Sequence, residues 1–478
     1  MKIIADIDLA LYFSKGKSWL YSTIENLKRE RFEDDERILF RLDVPDIFAF
    51  SGSKGEIETY LDQLLVDFDI PDHFVIKSIN DEQNIKVYQD TLCVLPWIHL
   101  YVSPSSGTIK PCCFASDTNE TIIDYPTLDS AINSDSMRKI RSDMMQGRRP
   151  NSCASCFQRE DAGLSSDRLR ANQRWNNVNF STEHDGSIIP DYRFFDIRLN
   201  NICNFKCMTC SHEFSSSIEQ ESKKLWGSDF HNVKVKHKNA YESFYKSVLS
   251  NVASIEKFYF AGGEPLLMEE HYEILDTLIS LSNTQVELDY NTNMSNIYFK
   301  KRPITDYWSQ FTNVNVGISL DGMGIQSEYI RNGSCWTSIL ENIKTIRSQS
   351  PHVHLSVSST YSIYNCFHLM DFQKHMIENH IFDAADLDMH HAYGDLNTVH
   401  LLPRKLKDKL KDSIGRHISW LDDKKLISKW QECSSYLDQE DKSYLLGRFL
   451  SHVEILDSYR CLDLFSVFPE LLDLKDHA

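Results

Sequence analysis

From about residue 190 to 395 the sequence alternates between two hydrophobic periods, and this alternation restricts the fold more than any other feature. Strand patterns occur at RFFDIRL (193–199), KFYFA (257–261), QVELDY (285–290), VNVGISL (314–320), HVHLSVSS (352–359) and ADLDMHH (385–391). Helical patterns lie between them, among them MEEHYEILDTLISLS, WTSILENIKTIRSQ and CFHLMDFQKHMIEN. Six strands interleaved with helices predict an α/β region with a parallel sheet of βαβ units. In such sheets the loops after the carboxyl ends of the strands carry the chemistry.

The flanks divide the 478 residues further. Residues 1–88 read strand, helix, strand (ERILFRL, GEIETYLDQLL, HFVIKSI), which predicts a small α/β module without a catalytic signal. Residues 89–178 combine loops with one good helix, Leu128 to Gln146. Pro403 opens a helical C-terminal region, 401–478, in which RKLKDKLKDSIGR reads as a solvated amphipathic helix.

Composition excludes several classes. With 51 Lys+Arg against 69 Asp+Glu, a formal net charge of −18 argues against nucleic acid as a general partner. No run of about 18 uncharged apolar residues predicts a membrane span. Asp6 and Asp8 interrupt the N-terminal apolar stretch, so no secretory signal is expected there. The expectation is a cytoplasmic protein whose twelve cysteines are metal ligands or reactive thiols before they are disulfides.

Three of those cysteines, Cys203, Cys207 and Cys210, fall in LNNICNFKCMTC, directly after the first strand of the α/β region. A structural zinc site needs a fourth protein ligand. Isolated buried thiols are common, but three at this spacing are not. Thiolates hold iron–sulfur clusters, usually four at a time. With three, one iron stays open to a small molecule. The second strand leads into FAGGEPLL, with Gly262, Gly263, Glu264 and Pro265. The third ends in NTN, with Asn293, and the fourth in ISLDG, with Ser319 and, twelve residues on, Arg331.

On these motifs the segment from about 90 to 400 resembles the radical S-adenosylmethionine enzymes. The resemblance implies a partial six-stranded (β/α) barrel over residues 190–400, and a catalytic 4Fe-4S cluster on Cys203, Cys207 and Cys210. It further implies S-adenosylmethionine at Gly262, Gly263, Glu264 and Pro265, with Asn293, Ser319 and Arg331 as further contacts. Glycines suit close backbone approach, a carboxylate suits an ammonium, and a guanidinium suits a carboxylate. Thr209 departs from the family, which usually has an aromatic residue there.

A second set, Cys93, Cys112, Cys153 and Cys156, offers four thiolates, with Cys113 a spare beside Cys112. Chemistry alone leaves structural zinc and an iron–sulfur cluster nearly tied. The spacing from Cys93 through Gly107 to Cys112, with one trailing Cys-x-x-Cys, is similar to the twitch form of SPASM domains, placed here before the barrel. That resemblance implies a second, auxiliary 4Fe-4S cluster over residues 89–178. The family as a whole implies reductive cleavage of S-adenosylmethionine to a 5′-deoxyadenosyl radical that takes hydrogen from a substrate. A peptide or protein side chain is the expected substrate, a small molecule such as a sugar or nucleotide derivative the alternative. A non-catalytic iron–sulfur or zinc protein is a third reading. A small flavodoxin- or ferredoxin-type electron donor is the other implied partner.

Overall fold

The structure is a computed structural model that describes the segments Lys2–Asp8, Ile38–Asp43 and Val75–Ser78, and residues 91–477 except 105, 162, 164, 177, 179–181, 184, 199 and 228–236. It falls into two compact units, Met1–Leu92 with Met144–Arg148, and Cys93–Asp143 with Arg149–Ala478. In the first unit, β1 (Lys2–Asp8), β2 (Ile38–Asp43) and β3 (Val75–Ser78) form a parallel sheet in that order. The helix expected over GEIETYLDQLL lies outside the described residues.

In the second unit a short helix, Leu95–Ile98, leads into a small hairpin, β4 (Tyr101–Val102) and β5 (Ile109–Lys110). Gly107 turns it with a φ of 72°, a conformation that costs a glycine little. The single helix expected from Leu128 to Gln146 is instead two, Leu128–Ile132 and Asp135–Met145. Asn133 makes the break. Its side-chain oxygen accepts from the Ile188 amide and from Arg141, and its amide donates to the Ile188 carbonyl. Asparagine side chains compete in this way with helical hydrogen bonding.

All six strands read from the alternating segment form one sheet. They are β6 (Phe194–Ile197), β7 (Lys257–Phe260), β8 (Glu287–Thr292), β9 (Asn313–Ser319), β10 (His354–Tyr361) and β11 (Leu387–His391). They lie side by side in chain order, every pair parallel. Among the described residues the sheet is open, with β6 and β11 at its edges. The crossovers carry helices: α1 (Ser216–Trp226) and α2 (Lys238–Ser250) after β6, α3 (Glu269–Ser280) after β7, α4 (Gly324–Ile330) and α5 (Trp336–Gln349) after β9, and α6 (Leu369–Glu378) after β10. The C-terminal region adds α7 (Arg404–Trp420), α8 (Lys424–Tyr436) and α9 (Leu446–Arg460).

Chain-order stacking has a consequence for the faces. Parallel crossovers share one hand, so a sheet that always grows in one direction receives all its helices on one side. The side chains obey this. Phe258, Phe260, Leu288, Tyr290, Val314, Val316, Ile318, Leu355, Val357, Leu387 and Met389 are buried on the helix side. Each such side chain stabilises the fold by roughly 1.5–3 kcal/mol when fully buried. The opposite face is polar and half-buried, as in Asp289, Asn291, Asn315, Ser319, Ser356, Ser358 and Asp388. A doubly covered parallel sheet would read as continuous apolar runs. Here one face is polar instead.

Candidate functional site

The cysteine loop runs from Asn200 to Ser215, off the carboxyl end of β6. Its course is set by side chains tying down its own backbone. The Asn200 oxygen accepts the Ile202 amide at 2.9 Å, and the Asn201 amide donates to the His212 carbonyl at 2.9 Å. Ser215 caps α1 through the Ile218 amide, and its hydroxyl donates to the Phe205 carbonyl at 2.7 Å. Phe205 and Met208 are buried beneath the loop and anchor it by their apolar area.

Two neighbouring turns grip this loop. On one side, the Glu264 amide donates to the Ile202 carbonyl at 2.7 Å. Gly263 permits that approach, because a Cβ there would lie 2.3 Å from the Ile202 oxygen. Gly262 has a φ of 101° and backs onto Arg198. On the other side, the Lys206 amide donates to Asn332 at 2.8 Å and the Met208 amide to Ile330 at 2.7 Å. Gly263→Ala should therefore part the glycine turn from the cysteine loop, at a cost of roughly 1–3 kcal/mol. A fall in the denaturant midpoint would measure it.

The loop brings Cys203, Cys207 and Cys210 together. Burial, Cys207 and Glu264 push the Cys203 thiol up to about 12. Burial and repulsion from both neighbours do the same to Cys210. Cys207 is raised by burial, against the pull of Arg331. Thiols held above their ordinary range ionise more readily beside positive charge. Arg331 Nη1 lies 3.9 Å from the Cys207 sulfur, and the Asn293 amide 4.0 Å from that of Cys203. Among the described residues, no group of three or more His, Cys, Asp or Glu is placed to hold a single metal ion.

The residues read as cofactor contacts surround this loop, several of them already engaged. Glu264 is 2% exposed and accepts three hydrogen bonds, from the Leu266 amide (3.1 Å), the Thr292 hydroxyl (2.6 Å) and the Asn293 amide (2.7 Å). Burial raises its carboxyl to about 7, against those donors. Pro265 follows it as the first residue of a 3-10 turn, Pro265–Leu267. The Asn293 side chain bridges Asn204 and the Ser295 amide. Ser319 ends β9 on the polar face, beside Ser358. The Arg331 Nε lies 2.9 Å from Asp321, which is fully buried and also accepts the Thr360 amide at 2.7 Å.

Asp321 is a site residue that the reading of ISLDG passed over, although an aspartate closing an apolar strand is itself a signal of a buried partner. Arg460 is another, on α9. It pairs with Glu221 of α1, and both side chains are nearly fully buried. Nothing in its local sequence marks it, since a basic residue at a helix end is ordinary.

The second set also comes together. The Cys93 thiol is raised by burial and then by Cys112, with contributions from Cys153 and Cys156. Burial, Cys153 and Cys156 bring Cys112 to about 12, and burial with Cys156 brings Cys153 to about 11. The turns bearing Cys112 and Cys153 are joined by the Ser116 amide and the Ser152 carbonyl at 2.9 Å. Cys113 faces elsewhere. Burial and then Asp196 on β6 dominate its surroundings. The same segment meets both edges of the sheet. Ile98 accepts the Arg193 amide at 3.1 Å beside β6, and Arg159 pairs with Glu432 of α8 at 3.5 Å, near His391 of β11.

The remaining single cysteines are not gathered into either set. Cys366 and Cys433 are buried, and Cys335 and Cys461 are exposed.

Neither a family model nor a curated protein matches the sequence. Solved structures similar to this chain include native anSMEcpe with bound AdoMet and the Cp18Cys peptide, at 15% identity over 48% of this chain and 60% of that one, with a TM-score of 0.32. Streptococcus suis SuiB bound to the precursor peptide SuiA matches at 11% identity over 70% and 68%, with a TM-score of 0.28. TYW1 with a lysine–pyruvate adduct matches at 12% over 48% and 71%, with a TM-score of 0.24. The chain spans about three fifths of the length of the first of these. Among the described residues, no helix is long and apolar enough to cross a membrane.

Proposed function

We propose that the chain is a radical S-adenosylmethionine enzyme whose 4Fe-4S cluster is held by Cys203, Cys207 and Cys210. The observation that carries this reading is a loop bearing three cysteines, gripped between the Gly262–Pro265 turn and the Ile330–Gly333 segment at the carboxyl end of a one-sided parallel sheet. The donor set fits the group: thiols alone, one short of a closed site. When bound and reduced, such a cluster supplies the electron that splits S-adenosylmethionine into methionine and a 5′-deoxyadenosyl radical.

The chain's own residues then bind and orient. Gly262 and Gly263 are the candidate cofactor contacts with Pro265, Gly263 also letting the turn close on the cysteine loop, and Arg331 and Glu264 bring buried charge to the site. Glu264 keeps one acceptor position beyond the three donors that it already serves. Ser319 and Asn293 are the further candidate contacts. Cys93, Cys112, Cys153 and Cys156 would hold an auxiliary cluster, with Cys113 turned toward the sheet. The amides and hydroxyls of the polar face suit a peptide or protein side chain, which needs donors and acceptors along its length. A small electron-donor protein would complete the system.

The test is anaerobic. Reconstituted protein with a strong reductant should release 5′-deoxyadenosine from S-adenosylmethionine. No release from protein whose iron and sulfide are intact would refute the reading.

A further inference from the structure

We propose that Arg460 is a positioning residue for the cysteine loop, so that the C-terminal helix α9 is part of the cofactor site rather than an appendage. Its guanidinium donates to Glu221 of α1 through Nε (3.0 Å) and Nη2 (2.5 Å). The remaining nitrogen, Nη1, rests 2.9 Å from the sulfur of Met208, the residue between Cys207 and Thr209. Lys206, on the other side of Cys207, pairs with the same Glu221 at 3.2 Å. The two neighbours of Cys207 thus converge on one buried ion pair.

A second tie starts three residues earlier on the same face of α9. Asp457 accepts the Tyr329 hydroxyl at 2.8 Å and the Leu464 amide at 2.7 Å. Tyr329 precedes Ile330, whose carbonyl receives the Met208 amide, and Arg331, whose guanidinium faces Cys207. One helix face therefore fixes the loop both directly and through the Ile330–Arg331 turn. Only a planar fork of donors can serve a carboxylate at two points and a sulfur at a third, which is why lysine would not replace this arginine. A buried ion pair contributes little net stability over apolar groups of the same size. Its value here is the geometry that it imposes on the loop.

What the loop holds rests on the proposed function, but the packing does not. The experiment separates the two, using the full chain. In metal-free protein, alkylation of Cys207 by iodoacetamide is followed by mass spectrometry for wild type, Arg460→Lys and the double variant Arg460→Met with Glu221→Met. The double variant removes both charges of the buried pair, leaves the partly exposed Lys206 to turn to solvent, and should fold. Both variants should be alkylated about tenfold faster, because the loop opens more easily. In reconstituted protein, the spectral change that S-adenosylmethionine induces in the reduced paramagnetic signal should weaken in both, without rescue by lysine. Wild-type alkylation rates in Arg460→Lys would overturn the proposal, whether or not the double variant folds. Wild type that takes up iron yet shows no response to S-adenosylmethionine would sink the function while the alkylation rates still decide the role of Arg460.

Discussion

Cys207→Ala is expected to reduce 5′-deoxyadenosine release to background while leaving the fold intact. The loop does not depend on this thiol for its course. The amides on either side, of Lys206 and Met208, are held by Asn332 and Ile330, and Arg331 keeps Asp321 as its partner. The substitution therefore removes a sulfur and little else. Substitutions of residues that merely support metal ligands cost roughly 10–100-fold, and loss of a ligand should cost more. Iron analysis should separate the two thiol sets. About eight irons in wild type should become about four, if each set holds a cubane. Cys112→Ala should remove the other four and leave the Cys203–Cys210 site loaded. Release that survives Cys207→Ala would mean that the catalytic metal lies elsewhere.

Acid should unfold the second unit well before its surface carboxylates are titrated. His99, His271 and His417 are each 1–2% exposed, and burial lowers them from 6.5 to about 4, 3 and 4 respectively. They stay neutral in the fold but take up protons when unfolded. Their stabilisation is therefore complete above pH 6.5 and is lost as pH falls toward 4. Glu264 works in the opposite direction. Its carboxyl, raised to about 7, binds a proton in the fold first and so favours the fold below pH 7. The histidines prevail, since burial lowers His391 to about 4 as well, so stability falls by on the order of a few kcal/mol as pH drops from 6.5 toward 4. A loss of that order is a large part of an ordinary domain's stability. Urea midpoints measured across that range would check it. His271→Phe, in a pocket lined by Phe260, Tyr272 and Tyr290, should lower the slope by one proton. An unchanged slope would show that His271 is not the group responsible.

The sheet could be read from sequence because both periods were strong over the same 200 residues. Every strand from RFFDIRL to ADLDMHH has its counterpart in β6 to β11, with no end displaced by more than two residues. The three-cysteine loop was equally plain, since its spacing is local. The contacts that fix the loop were not. Asp321 and Arg331 lie ten positions apart and Arg460 and Glu221 lie 239 apart, so their pairing exists only after packing. The sequence presents Glu264 as a group open to a ligand, yet three of its acceptor positions are taken by Leu266, Thr292 and Asn293. A motif names a residue without saying how many partners it already has. The break at Asn133 was missed for a similar reason. The apolar period runs through it, and only the distant Ile188 and Arg141 stop the helix there.

The alternation of the sheet has a consequence for how readily this protein can change what it accepts. Residues such as Asn291, Asn315, Ser356 and Ser358 stand on the polar face, while Tyr290, Val316 and Val357 on the other face hold the helices. Under the proposed function, selectivity and folding are written into alternate letters of the same strands. A library confined to the first group could redraw the binding surface while the foundation beneath it stays in place.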